Sequence, residues 1–322
     1  MGRRFIKATQ LISVINTIFC NIYLNIKFNF VNEINNMYKP ILQITLLFLY
    51  SFVLNAQTSD SRQSKPLIIG NIDKIHSTIL KEDRTLNIYL PEDYYENDTL
   101  TYPVIYVLDG SLNEDFLHIA GIVQYNTFSW INRIPKSIVV GIANVDRKRD
   151  FTSVTKFEID KKHAPTGGGS AKFIEFIEKE LQPFILKNYK SRNENTIVGQ
   201  SLAGLLATEI LFTKPHLFNK YIIVSPSLWW NDGALLKTNP EILSEKFNQP
   251  ISIYIGVGKE GLTPGLDSHI MEVDANLLAD KIKQSKSKTV KVYFDYLPSE
   301  DHATVTHPAV FNAFRILYPI TN

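Results

Sequence analysis

Thr196-Ile197-Val198-Gly199-Gln200-Ser201-Leu202-Ala203-Gly204 reads as a buried strand, a tight turn and the start of a helix. Ile197 and Val198 are β-branched and apolar, as a covered strand requires. Beyond the turn, Leu205, Leu206, Ala207, Ile210 and Leu211 recur at helical spacing. Ser201 stands at the corner between the two. This is the pattern of a nucleophile elbow, written G-x-S-x-G, which lifts a serine hydroxyl above a parallel sheet. The flanking positions are small because neighbouring backbone comes close there. Here the run is G-x-S-x-A-G, with Ala203 at the second small position and Gly204 one residue later. The bland alternative is a serine that merely caps the following helix.

The elements around the corner alternate. Ile75–Leu80 and Thr85–Leu90 suggest a hairpin of edge strands about 81–84. Pro103–Leu108 and Ser137–Ile142 are apolar enough to be buried strands, with a helix from Leu112 to Phe128 between them. Residues 146–169 show no clear period and read as a long functional surface loop. Ser170 to Tyr189 is an amphipathic helix capped at Ser170, with Phe173, Phe176, Ile177, Leu181 and Phe184 inward. Tyr221–Val224, Ile251–Ile255 and Val290–Tyr296 are further strands, and helices run over Met271–Ile282 and Ala309–Leu317. Strands alternating with helices imply an α/β fold with a mostly parallel sheet covered on both faces. The hairpin adds an antiparallel edge.

In such sheets ligands sit at the carboxyl ends of the strands. Asp109-Gly110-Ser111 follows the 103–108 strand and Ser201 the elbow strand. Ser225, Ser227, Trp229 and Trp230 come after 221–224, Glu260 after 251–255, and Ser299-Glu300-Asp301-His302 after 290–296. A serine, then a carboxylate, then a histidine is the α/β-hydrolase order. A serine hydroxyl is a weak nucleophile unless an imidazole takes its proton. A carboxylate on the other ring nitrogen fixes the tautomer. Ser201, His302 and Glu260 are therefore the expected triad, with Asp267 and Asp274 as alternative acids and His307 as the rival base. Backbone N–H groups at Leu202 and at Gly110–Ser111 are the candidates to meet an oxyanion. Trp229 and Trp230 are expected to wall a pocket. Arg147 and Arg149 are expected either to order the 146–169 loop through Asp150 or to face an anionic substrate. No His/Cys/Asp cluster has metal-ligand spacing, and the glycine-rich runs at 166–170 and 256–259 lack the residues of a phosphate loop. The chemistry needs no cofactor.

These stretches resemble the esterase branch of the α/β hydrolases, which holds esterase D and the enterochelin and ferri-bacillibactin esterases. The resemblance runs from about Ile75 to Tyr318. It rests on Tyr102–Gly110, Asp146–Thr152, Gly167-Gly168, the elbow, Ser225–Trp230 and Glu300-Asp301-His302. Two positions depart from the pattern: Gln200 stands where the family usually has His, and Ala203 where it usually has Gly. The resemblance implies a serine esterase acting on siderophore trilactones or acylated carbohydrates. A non-catalytic binding domain on the same fold and an acyltransferase are the alternatives.

The apolar fraction of 44% and the charged fraction of 20% are those of a globular chain. The first 56 residues differ. Residues 1–36 read as an upstream extension. From Met37, Lys39 supplies a positive start, Ile41–Leu54 an apolar run, and Ala56 a small residue before Gln57, the pattern of a signal peptide. That run is short for a membrane span, so no stable membrane insertion is expected after cleavage. The expected product is a secreted or periplasmic protein with a disordered leader over 57–70 and one catalytic domain over 71–322. The first 56 residues hold five basic side chains, one acidic one and the sole cysteine, Cys20. Without them the balance of 34 basic and 32 acidic residues falls to about two net negative charges. A nucleic-acid partner, which requires a basic stripe, is not expected; a small-molecule ester is. The oligomeric state is not legible.

Overall fold

A computed structural model describes residues 3–56, 64–96, 99–263 and 266–319. The chain divides into two units, one ending at Leu67 and one beginning at Ile68. The first contains a single helix, α1 (Arg3–Ala56), with Pro40 inside it. Pro40 has no N–H to give the preceding turn, so one backbone bond is missing there. Residues 3–36 of the expected extension and the signal segment over 37–56 share this helix, with no change of secondary structure at Met37. Among the described residues no helix is long and apolar enough to cross a membrane. Of the expected leader, 57–63 lies outside the described residues, and 64–69 has no regular structure before the first strand.

The second unit contains strands β1 (Gly70–Ser77), β2 (Glu82–Tyr89), β3 (Tyr102–Val107), β4 (Ile138–Ile142), β5 (Ser191–Gln200), β6 (Lys220–Val224) and β7 (Ile251–Gly258), a short hairpin β8 (Leu262–Thr263) and β9 (Leu266–Ile270), and β10 (Val290–Leu297). Its helices are α2 (Phe116–Thr127), α3 (Arg147–Phe151), α4 (Glu158–His163), α5 (Ser170–Phe176), α6 (Gln182–Asn188), α7 (Leu202–Thr213), α8 (Trp230–Lys237), α9 (Met271–Lys283) and α10 (Thr306–Leu317). Eight strands form one sheet in the order β1-β2-β4-β3-β5-β6-β7-β10. β1 and β2 pair antiparallel, β2 joins β4 antiparallel, and the rest run parallel. This is the α/β-hydrolase arrangement, and it bears out the expected mixed sheet.

Alternate side chains of the central strands enter two cores. Val104, Tyr106, Ile197 and Ile223 pack with Phe173, Phe176, Leu206 and Leu278 on one face. Ile105, Val107, Val198 and Ile222 pack with Phe116, Val123, Val310 and Phe314 on the other. Strands buried on both sides are apolar throughout, which is why they were legible as continuous runs.

Several boundaries differ from the sequence reading. The hairpin pairs His76 with Asp83 and Ser77 with Glu82. Its turn starts at Thr78 because the Glu180 carboxylate accepts from the N–H groups of Thr78 and Ile79. β2 is not an edge strand, since β4 flanks it. Ser170 does not cap the helix that follows. Gly169 precedes that helix, and Ser170 Oγ donates to Glu209 at 2.9 Å. The expected helix over 170–189 is interrupted by a π-helical turn at Ile177–Leu181. Pro183 cannot give an N–H to that turn. The region 146–169 contains α3 and α4, each too short to show a helical period.

Candidate active site

The chain leaves β3 for β4 on one side and returns to β5 on the other, so the strand order reverses between β3 and β5. The Asp109–Ser111 loop and Ser201 both lie at this switch point, where open α/β sheets bind ligands. Ser201 has φ 61° and ψ −121°, a conformation costly for a residue with a Cβ. The corner is tied down on both sides. The Ser201 N–H donates to Val224 O at 3.0 Å, and the Ser201 carbonyl accepts from Ser227 N at 3.0 Å and Leu205 N at 2.9 Å. A Cβ at Gly199 would lie 2.5 Å from the Ala203 carbonyl oxygen, and one at Gly204 2.9 Å from Val224 O. The small residues flanking Ser201 are thus set by backbone approach. The family's usual glycine position is here Ala203, whose methyl is fully buried.

β7 ends beside the loop that carries His302. Glu260 Oε2 lies 2.6 Å from His302 Nδ1. The Glu260 side chain is 3% exposed and His302 47%. Ser225 Oγ donates to the other Glu260 oxygen. The Glu260 loop is itself clamped: Glu272, at the start of α9, accepts from Glu260 N at 3.0 Å and Gly261 N at 2.9 Å. Gln200 Nε2 donates to the His302 main-chain carbonyl. With Nδ1 taken by Glu260, Nε2 is the His302 nitrogen open to the cavity. Ser201 Oγ lies 3.3 Å from Ser227 Oγ, and among the described residues no hydrogen bond joins it to His302. Such bonds are often long without substrate.

A cavity of about 360 Å³ opens over Ser201. Ser227, Glu260 and His302 line it beside Ser201, with Leu202 at the start of α7. Arg147, Lys148 and His163 give a cationic and imidazole wall, and Trp229, Leu262 and Met271 an apolar one. Arg147 makes two bonds to Asp109, at 2.7 and 2.8 Å, and reaches the Gln200 carbonyl at 3.4 Å. Burial works against its charge, but the bonds to Asp109 outweigh it and hold its pKa above the usual guanidinium value. The Lys148 ammonium donates to the His163 carbonyl. Burial and the nearby Lys148 charge push the His163 imidazole below the ordinary histidine range. Its ring stands edge-on to Trp229 at 5.2 Å. From the sequence His163 reads as a surface or structural histidine and Lys148 carries no signal, yet both line this cavity, because nothing in 146–169 marks which side chains α3 and α4 turn inward. Glu272 carried no signal at all, lying within an ordinary helical run.

Other expected residues lie elsewhere. Trp230 is core, 2% exposed, with its indole N–H on Ser153 O. Arg149 is held by Glu82 and Asp150 and does not line the cavity. Asp150 also binds the fully buried Arg84, which anchors α3 to β2. The Gly110 N–H donates to Ile142 O at 3.0 Å and the Ser111 N–H to Glu114 at 3.2 Å, so both loop donors are engaged. Leu202, in the first turn of α7, has an N–H that α-helical bonding does not use. Asp274 pairs with His269 at 2.7 Å, not with His302. Burial raises its pKa despite that partner. The Asp267 side chain lies outside the described residues. His307 sits in the first turn of α10, its ring 4.6 Å from that of His118.

The mostly parallel sheet in this strand order, with helices on both faces, defines an α/β-hydrolase fold. The chain belongs to the esterase family described as "Putative esterase", which matches residues 77–304. It is 31% identical over 257 residues to the ferri-bacillibactin esterase BesA of Bacillus subtilis, covering 74% of this chain and 86% of that protein. Among solved structures, it is similar to an IroE-like serine hydrolase from Shewanella oneidensis. That match has 30% identity and a TM-score of 0.65, covering 77% of this chain and 79% of the other. It is also similar to a BES protein from Bacillus cereus, at 28% identity and TM-score 0.66, covering 81% and 100%. The protein is a carboxylic ester hydrolase.

Proposed function

We propose that the protein hydrolyses carboxylic esters through an acyl-enzyme on Ser201. His302 Nε2 takes the Ser201 proton as Oγ attacks the ester carbonyl, then returns it to the leaving alcohol. Glu260 holds Nδ1–H and stabilises the imidazolium. The Leu202 N–H faces the oxyanion, and a second donor becomes available when Glu114 releases Ser111. Water, activated by His302, then frees the acid. The observation that carries this reading is the Glu260–His302 pair on the cavity to which Ser201 opens. The substrate we favour is a siderophore trilactone. The cationic side chains of Arg147 and Lys148 beside Trp229 suit an ester whose aromatic acyl groups carry negative charge, and relatives bear siderophore esterase names. An acylated carbohydrate is the alternative. The expected export signal over 37–56 would place the enzyme outside the cytoplasm. Product analysis with a ferric trilactone, a feruloyl sugar and nitrophenyl esters tests the substrate. If the feruloyl sugar alone is cleaved, the trilactone reading fails.

A further inference from the structure

A second cavity, of about 390 Å³, lies at the opposite end of the sheet. Tyr89 ends β2 opposite Val139, at the beginning of β4, and Ile134 and Pro135 lead into that strand. The cavity therefore opens at the amino end of β4 and the carboxyl end of the antiparallel β2, away from the Ser201 site. The proposed catalytic chemistry uses none of its residues.

Its rim carries Trp130, which is 75% exposed. The indole is not a loose surface ring. It stacks on Phe128 at 4.6 Å with 21° between the planes, and Tyr125 braces Phe128 edge-on at 6.0 Å. The loop beneath is fixed by backbone bonds. Ile131 N and Asn132 N donate to Phe128 O at 2.9 and 2.7 Å, and Arg133 N donates to Asn126 O at 2.9 Å. One indole face is thus spent on Phe128 and the other is held out to solvent, with its ordering entropy lost on folding rather than on binding.

The cavity beside the indole sets a few polar groups in a mostly apolar lining that includes Pro91, Ile134 and Pro135. Glu92, Gln124 and Asn132 bring a carboxylate and two amides, and Tyr89 its phenol. Burial, with the charges of Glu92 and Asp93, pushes the Tyr89 pKa up to about 12, so it remains a hydroxyl donor at neutral pH. The nearby ammonium, Lys136, is bound to Asp93 at 2.8 Å. Among the described residues no ion pair joins Glu92 to a cation, and with Lys136 held by Asp93 the cavity disfavours an anionic ligand. A flat aromatic face beside planar hydrogen-bonding groups of both polarities suits a ring with C–H bonds on one face and hydroxyls at its edge. Such C–H bonds meet the negative face of the indole quadrupole.

We infer that the Trp130 cavity binds a neutral saccharide, one pyranose ring stacking on the indole while its hydroxyls engage Glu92, Gln124 and Asn132. The site would hold the enzyme on a glycan surface whichever ester Ser201 cleaves.

The test titrates the full-length protein with cellohexaose, xylohexaose and maltohexaose into the millimolar range, reading tryptophan fluorescence and ligand-observed NMR. At least one saccharide should shift the signal. Trp130→Ala should weaken that binding about two- to tenfold, the order set by losing one aromatic stacking partner, and Trp130→Phe should retain part of it. Hydrolysis of a small nitrophenyl ester should be unchanged in both variants. Ser201→Ala should bind the saccharide as the parent does, which separates this site from the catalytic reading. The inference is overturned by no response to any of the three sugars, or by equal binding in a folded Trp130→Ala. It is equally overturned if 2,3-dihydroxybenzoate but no sugar occupies the site, or if the fluorescence follows protein concentration alone, which marks self-association.

Discussion

The Gln200 side-chain amide donates to the main-chain carbonyl of His302. Gln200 immediately precedes the Ser201 corner, so one side chain links the end of β5 to the loop that carries the histidine. We expect this bond to set where the imidazole stands relative to Ser201. Gln200→Leu removes the donor at similar size. We expect kcat to fall about 10- to 100-fold, the scale of a misplaced catalytic group, with KM and thermal stability nearly unchanged because the bond is solvent-exposed. An unaltered kcat would show that the His302 loop is held by other contacts.

Ser201→Ala is expected to lower ester hydrolysis by on the order of 10⁴ or more, as in other triads. His302→Ala should be nearly as inactive, and the double variant hardly worse, because the two groups act as one unit. A fluorophosphonate probe followed by peptide mass spectrometry should label Ser201. Label on another serine would refute the assignment.

Glu260 and Asp274 separate by role. Glu260→Gln leaves the fold intact but loses the carboxylate that fixes the His302 tautomer, so kcat should drop by about 10²-fold or more. Asp274→Asn breaks the buried pair with His269, at a cost of about 1–3 kcal/mol in stability and little in kcat. Parallel urea denaturation and steady-state kinetics check both. The reverse pattern would make Asp274 the functional acid.

Asp115 carries a pH signature. Burial, with the Asp109 charge, raises its pKa to about 6. The folded state therefore holds this proton more tightly than the unfolded chain, and stability is lost as pH rises from about 4 to about 6. Asp115→Asn should be more stable than the parent above pH 6 by about 1–2 kcal/mol, reduced from the full shift by solvent screening. The two should converge below pH 4. Thermal melts across that range decide it, and a constant difference at all pH values would exclude Asp115 as the cause.

Export is tested at the amino terminus. Sequencing of the protein recovered from outside the cytoplasm should begin at or near Gln57. Recovery of residues 1–36 in that fraction would contradict cleavage after Ala56.

The sheet, its two-sided burial and the corner at Ser201 were legible from residue order alone. Ile197, Val198, Ile222 and Ile223 are apolar in succession because both sheet faces are covered, and Gly199 and Gly204 are small because backbone passes beside them. These are local or periodic signals, carried by residues close in the chain. The order Ser201, Glu260, His302 was legible for the same reason: each follows a strand. What the sequence could not supply was pairing across the chain. Glu260 and Asp274 are both acids near one strand end, and only the folded loop places the first on His302 and the second on His269. Trp229 and Trp230 are adjacent, yet the turn into α8 sends one to the cavity and the other to the core. The Glu272 clamp and the Gln200 link join segments that meet only after the parallel strands have assembled. Their partners were fixed by the distance between strand ends in space, which no spacing along the chain records.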